Sequence, residues 1–331
     1  MKSEGRGEIT DNSEVDFWGI SPAAISFVEK LNREKNLSLH VPQWKAEYRE
    51  LSNRQTARNV LELLIKACPE IDPTIVPVFY SNIEDIETAI THNQKSTIKN
   101  QKFLIKSPFS SSGRGLVWLP EGKIARSERQ IIGGMLKRQG CVSLETALDR
   151  QLDFSMHFEI IDKDRVNFIG YSVFLVNTKG AYEKSLIASQ AQMKDMICRF
   201  IDNSLLERIR NLLHNIITEI YSPHYKGNIG IDMFIYHDGV AKRLHPCVEI
   251  NMRKSMGYLA IRLAELHLHP ESHGELVIDF YKSPADLLEN HRKMQDRFPL
   301  IFKDGLISKG YFSLCPIEDG VNYRACVFVK R

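Results

Sequence analysis

Apolar positions along the 331-residue chain change period repeatedly, and each change predicts an element. Ile25, Val28 and Leu31 share one face of a helix that opens with Ser21 as N-cap and Pro22 in its first turn. The same spacing returns at Ala57, Val60, Leu61 and Leu64, with a cap at Ser52 or Asn53, and again at Ile83, Ile86 and Ile90. Ser127 and Gln130 form a capping box for a helix that carries Ile131, Met135 and Leu136 and stops at Gly140. Leu206, Ile209, Leu213, Ile216 and Ile220 make the clearest stripe, which reads as core. Short apolar runs bounded by turn residues predict strands at 103–105, 116–119, 141–145, 154–161 and 167–176, and closing strands at 277–281, 310–316 and 323–329. Residues 1–14 are polar and read as a flexible lead-in. Phe17 to Ile20 predict a strand end before the first helix; Trp18 and Gly19 could contact substrate there, but core packing for Trp18 and a turn for Gly19 are the simpler readings.

Two of these stretches carry chemistry. In the first, the strand at 103–105 is followed by Lys106, then by the small-residue loop Ser110-Ser111-Ser112-Gly113-Arg114-Gly115, then by a second strand. Glycines let the main chain approach a ligand, so the N–H groups of this loop can converge on phosphate oxygens while Lys106 and Arg114 supply charge. No Gly-Lys-Ser/Thr ends the loop and no helix follows it, so it is not a Walker loop. Taken alone, the stretch reads equally well as a hairpin with a glycine-rich turn.

In the second, residues 227–257, an apolar strand segment at 227–236 and another from His245 onward flank a turn at His237 to Gly239, and Asp238-Gly239 in a short connection is the signature of an antiparallel hairpin. Side chains two apart on a strand share a face, so Glu249, Asn251 and Arg253 line up and Asp232 on the neighbouring strand can join them. Two carboxylates and an amide oxygen are hard ligands suited to Mg²⁺. The competing reading is a strand's wet face, which alternates in the same way.

In combination and in this order, the two stretches resemble the ATP-grasp superfamily. The resemblance implies an α/β and α+β protein with an ATP-grasp fold behind an N-terminal α/β lobe. Its expected divisions are a flexible N-terminus (1–14), the N-terminal lobe (15–98), a small subdomain with the glycine-rich loop (99–150) and a large subdomain with the metal hairpin and C-terminal strands (151–331). It implies ATP contacts from Lys106, from Ser111, Ser112, Gly113, Arg114 and Gly115, and from Arg54, which stands where the family usually has a lysine. Glu145 is the hinge candidate near adenine and Asp153 the candidate for the ribose hydroxyls. Asp232, Glu249 and Asn251 would hold Mg²⁺, or Mn²⁺ in its place, and Arg253 would act catalytically with Lys106 near an acyl phosphate. The implied reaction activates a carboxylate as an acyl phosphate and joins it to an amine; the substrates are small molecules or peptides. The alternatives are a phosphotransferase or a thiol or hydroxyl ligase on the same fold, or a nucleotide-binding regulatory protein without turnover. The residues 178–184 loop would border the acceptor.

A formal charge of +3 argues against a nucleic-acid partner. Six cysteines without a Cys-x-x-Cys pair, no apolar leader and no run of about eighteen apolar residues predict a cytoplasmic protein that neither enters a membrane nor carries disulfides. A homodimer is left open. The histidines at 267–273 invite a zinc reading, but Pro270 interrupts them and a helix-ending loop is simpler.

Overall fold

A computed structural model describes residues 13–96, 102–110, 115–120, 122–177 and 180–330. Ser21 caps α1 (Pro22–Lys35) by accepting from Ala24 N at 3.1 Å. After a short helix α2 (Glu47–Leu51), Asn53 caps α3 (Arg54–Ala67), leaving Arg54 as its first residue. No strand forms at Phe17–Ile20: the segment bends and runs into α1. The expected N-terminal α/β lobe therefore has no sheet of its own among the described residues. Its strand β1 (Val78–Tyr80) and helix α4 (Ile83–Ser96) join the next unit.

That unit is a sheet of β1, β2 (Phe103–Lys106), β3 (Leu116–Leu119) and β4 (Val142–Thr146), backed by α5 (Arg126–Gln139). Its four strands run in the order β1-β4-β2-β3, all antiparallel. Ile83, Ile86 and Ile90 from α4 share one core with Phe103, Ile105, Leu119, Ile132, Met135 and Val142. The division expected at residue 98 thus runs between two elements that bury each other's side chains.

The second sheet contains β5 (Asp149–Asp162), β6 (Arg165–Val176), β7 (Tyr182–Ile187), β8 (Gly227–His237), β9 (Lys242–Asn251) and β10 (His273–Phe280), with β11 (Ile301–Lys303), β12 (Leu306–Ser313) and β13 (Tyr323–Lys330) at its far side. Its nine strands run β11-β12-β13-β10-β7-β6-β5-β8-β9. Phe154, Met156, Phe158 and Ile160 alternate along β5 and pack with Ile229, Ile231 and Ile235 of β8 against α3, α6 (Gln190–Cys198) and α7 (Asn203–Ile216). Each such side chain stabilises the fold by about 1.5–3 kcal/mol on full burial. The period of two turns Asp153, Ser155 and His157 of β5, with Gly230 and Asp232 of β8, to the opposite face. Part of that face is covered by α8 (Met256–His267), and part is left as a cleft under the small sheet. Helix α9 (Pro284–Arg297) packs on β12. No helix among the described residues is long and apolar enough to cross a membrane.

Candidate functional site

A cleft of about 460 Å³ lies between the two sheets, and Lys106, Arg54, Asp153, Asp232, Glu249, Asn251 and Arg253 all line it. Its floor comes from the β8–β9 hairpin, in which Asp232 sits directly across from Glu249 and Gly230 across from Asn251. On the other flank of β8, Ser155 of β5 is the cross-strand partner of Asp232 and donates to its Oδ1 at 2.6 Å. Asn251 Nδ2 donates to Asp232 Oδ2 at 3.0 Å, and Arg253 Nη2 donates to Asn251 Oδ1 at 3.0 Å. The four side chains form one chain of hydrogen bonds. Burial, and then the neighbouring Glu249 carboxylate, push the Asp232 carboxyl up to about 6 against the pull of Ser155, Arg253 and Asn251. Such a site is short of positive charge.

The opposite wall supplies cations. Lys106, only 4% exposed, pairs through Nζ with Glu145 Oε2 at 2.5 Å, and Ser143 Oγ donates to Glu145 Oε1 at 3.0 Å. Burial pushes the Lys106 ammonium below its ordinary value, with Arg150 and Arg54 adding to the effect and Glu145 opposing it. Glu145 is thus engaged by lysine, and it lines a small adjoining cavity with Leu148 and His245.

Arg54 ties the walls together. Its Nη1 donates to Ser107 O at 2.6 Å and to Ser110 Oγ at 2.7 Å, while Nη2 meets Glu249 Oε2 at 2.7 Å. Among the described residues its buried Nε has no partner. The first turn of α3 thereby joins the base of the glycine-rich loop to an acid of the floor. Ser107 N donates to Gly115 O at 3.0 Å, closing the loop base. Gly115 has φ +71°, and a Cβ there would come within 3.1 Å of Ser107 Oγ, so both conformation and space call for glycine. The Ser111, Ser112, Gly113 and Arg114 expectation lies outside the described residues, as do Thr178 and Lys179 of the 178–184 loop.

Asp153 accepts from Arg150 Nη1 at 3.1 Å, and its carboxyl is pushed up by burial while Arg150 draws it down. The Arg150 guanidinium lies over the Phe234 ring, 4.4 Å from its centroid. Sequence reasoning passed over Arg150, Ser155 and Phe234. Ser155 carries no local signal, since its role exists only through its pairing with β8. Phe234 could have been found two positions after Asp232 on one strand face. Trp18 is 47% exposed and so is no core residue. At 267–273, His269 Nδ1 accepts from Glu271 N at 3.3 Å.

Among the described residues, no group of three or more His, Cys, Asp or Glu side chains could hold a metal. The oxygen donors at the hairpin are two acids and an amide, a hard set that fits a divalent cation coordinated also by phosphate. Of the Glu249 carboxylate, Oε2 is the oxygen that meets Arg54, so a cation can be taken at Oε1 or in place of the guanidinium. The cleft volume lies within the range of small-ligand sites.

No family model matches the chain, and no curated protein sequence matches it. Solved structures do. N5-carboxyaminoimidazole synthetase from Staphylococcus aureus, complexed with ADP, superposes with a TM-score of 0.54 at 17% identity, covering 95% of this chain and 75% of that one. Biotin carboxylase from Campylobacter jejuni, as a β,γ-ATP complex, gives 0.53 at 12% identity over 98% of this chain and 70% of that one. The biotin carboxylase domain dimer of Hydrogenobacter thermophilus 2-oxoglutarate carboxylase, with MgADP, ADP and bicarbonate, gives 0.52 at 12% identity over 91% and 66%. Two antiparallel sheets closing over one charged cleft, superposable on these enzymes over nearly the whole chain, make this an ATP-grasp fold.

Proposed function

We propose that the protein is an ATP-dependent ligase that activates a carboxylate as an acyl phosphate and passes it to an amine. The observation that carries this reading is the convergence of Lys106 and Arg54 from one side, and Asp232, Glu249 and Asn251 from the other, on a single cleft. Phosphoryl transfer needs alignment and charge neutralisation more than covalent help from the protein. In this reading Lys106, Arg54 and the main chain from Ser110 to Gly115 grip the phosphates, and Asp153 accepts from the ribose hydroxyls. Asp232, Glu249 and Asn251 hold Mg²⁺, which when bound would neutralise phosphate charge. Arg253, donating to Asn251 at 3.0 Å, presents its remaining N–H groups to the phosphoryl group as it passes to the carboxylate, and then to the oxyanion that develops on the acceptor side. Glu145 orients Lys106 from behind. The neighbouring structures in complex with ADP or an ATP analogue support a nucleotide in this cleft.

The test is ADP release from Mg·ATP in the presence of pooled carboxylic acids and amines. The reading expects release that requires one acid and one amine and is lost in Glu249→Ala. Phosphate retained on a product in place of free phosphate would make the protein a phosphotransferase, and no release with any pair would remove the ligase reading.

A further inference from the structure

Arg253 sits on a short connection between β9 and α8, and a segment from the far end of the chain holds it there. Lys254 N donates to Trp18 O at 2.8 Å. The Lys254 ammonium also pairs with the Asp16 carboxylate. Directly after these two ties comes Gly19, which lies against the stem of Arg253: a Cβ built at Gly19 would come within 2.9 Å of Arg253 Cβ and 3.6 Å of its Cδ. The atom in the way is the root of the arginine side chain, not its flexible end. An added methyl could be accommodated only by moving one backbone away from the other. Gly19 is not among the glycines with positive φ, so its backbone conformation is open to other residues. What excludes a side chain here is space beside Arg253.

We infer that residues 16–19 form a strap that fixes Arg253, with Gly19 as a positioning residue. This rests on the proposed role of Arg253 opposite the transferring phosphoryl group, and it adds a part of the chain more than two hundred positions away to that site. Close approach of Gly19 and the Trp18 carbonyl sets where the Arg253 stem leaves the backbone. Asn251 then receives the guanidinium at one Nη and leaves the rest of the fork free to meet ligand. A displacement of about 1 Å in such a group can lower a rate by about a hundredfold, although the substituted residue touches no substrate.

Two measurements test the strap in the full-length protein. The first is amide hydrogen exchange of the 250–256 segment without ligand. Gly19→Ala and Asp16→Asn should both speed exchange at Lys254, Gly19→Ala more. The second is calorimetric titration with Mg·ADP, with and without aluminium fluoride as the stand-in for the transferring phosphoryl group. Gly19→Ala should keep Mg·ADP affinity within about twofold and lose about tenfold of the tightening that fluoroaluminate brings. Arg253→Ala should lose the same tightening, and the double variant should lose no more than Arg253→Ala alone, since both act through one guanidinium. Unchanged exchange at Lys254 in Gly19→Ala, or a loss that adds to that of Arg253→Ala, overturns the inference. A wild-type protein that binds no Mg·ADP overturns the nucleotide reading instead, and the exchange measurement then still decides whether the strap holds the 250–256 segment.

Discussion

Acidification should destabilise this protein through one buried imidazole, and the size of the effect follows from its surroundings. His157 stands on the cleft side of β5 beneath the start of α8, 3% exposed, with Nε2 at 2.9 Å from Ser172 Oγ. Gly230 and Gly257 close over it: a Cβ at Gly230 would lie 3.2 Å from Nδ1, and one at Gly257 would lie 2.6 Å from Nε2. Among the described residues no carboxylate pairs with the ring, and burial alone lowers it from 6.5 to about 4. Between those two values the unfolded chain binds a proton that the native ring refuses. Native stability is therefore intact above pH 6.5 and falls as pH drops towards 4, with no further loss from this group below that. The full difference corresponds to about 3 kcal/mol, and about 2 kcal/mol of it should be lost between pH 7 and pH 4.5. The assay is urea unfolding at both pH values for wild type and His157→Gln, which keeps a polar side chain but cannot titrate. Whatever the substitution costs at pH 7, its drop on acidification should be about 2 kcal/mol smaller than that of the wild type. Equal drops for the two proteins would refute the reasoning. His245, pushed down to about 3 by burial with Lys106 and Arg150 adding, contributes in the same direction and cancels in the comparison.

Arg54→Met should cost about 3–5 kcal/mol in urea unfolding, because it strips a buried guanidinium from Glu249, Ser107 and Ser110 at once. It should also weaken Mg·ADP binding. A substitution outside the cleft lining provides the contrast: Arg324, 4% exposed, donates from Nε to Asp279 Oδ1 at 3.1 Å and from Nη2 to Oδ2 at 2.5 Å, and its Nη1 reaches Asn290 and Tyr311. Arg324→Met should lower stability by a similar amount, on the order of 3 kcal/mol, and leave Mg·ADP affinity unchanged in calorimetry.

Much of the cleft was legible because its parts are periodic. A lysine ending a short apolar strand, and an acid and an amide spaced two apart on another, are local features, and alternation alone puts Glu249 and Asn251 on the same strand face. Arg54 was found through family resemblance, and its three partners were not, since they come from β9 and from the loop base more than fifty residues away. Ser155 reads as one polar residue in an apolar run until the β5–β8 register sets it against Asp232. The strand expected near Trp18 failed for a physical reason. Aromatic and branched residues there favour extended backbone, but among the described residues no neighbouring strand pairs with them, and the segment instead lies along Arg253 and Lys254. Likewise β1 and α4 look in sequence like the end of the first lobe, and tertiary burial of Ile83, Ile86 and Ile90 draws them onto the small sheet.

The most direct measurement is a calorimetric titration of the purified protein with ADP, in Mg²⁺ and in EDTA, alongside Lys106→Met and Glu249→Gln. One cleft with a cationic wall over an acidic floor predicts saturable binding strengthened by Mg²⁺, weakened by loss of Lys106, and made indifferent to Mg²⁺ by loss of the Glu249 charge. Binding that neither substitution alters, or no binding at all, would contradict it.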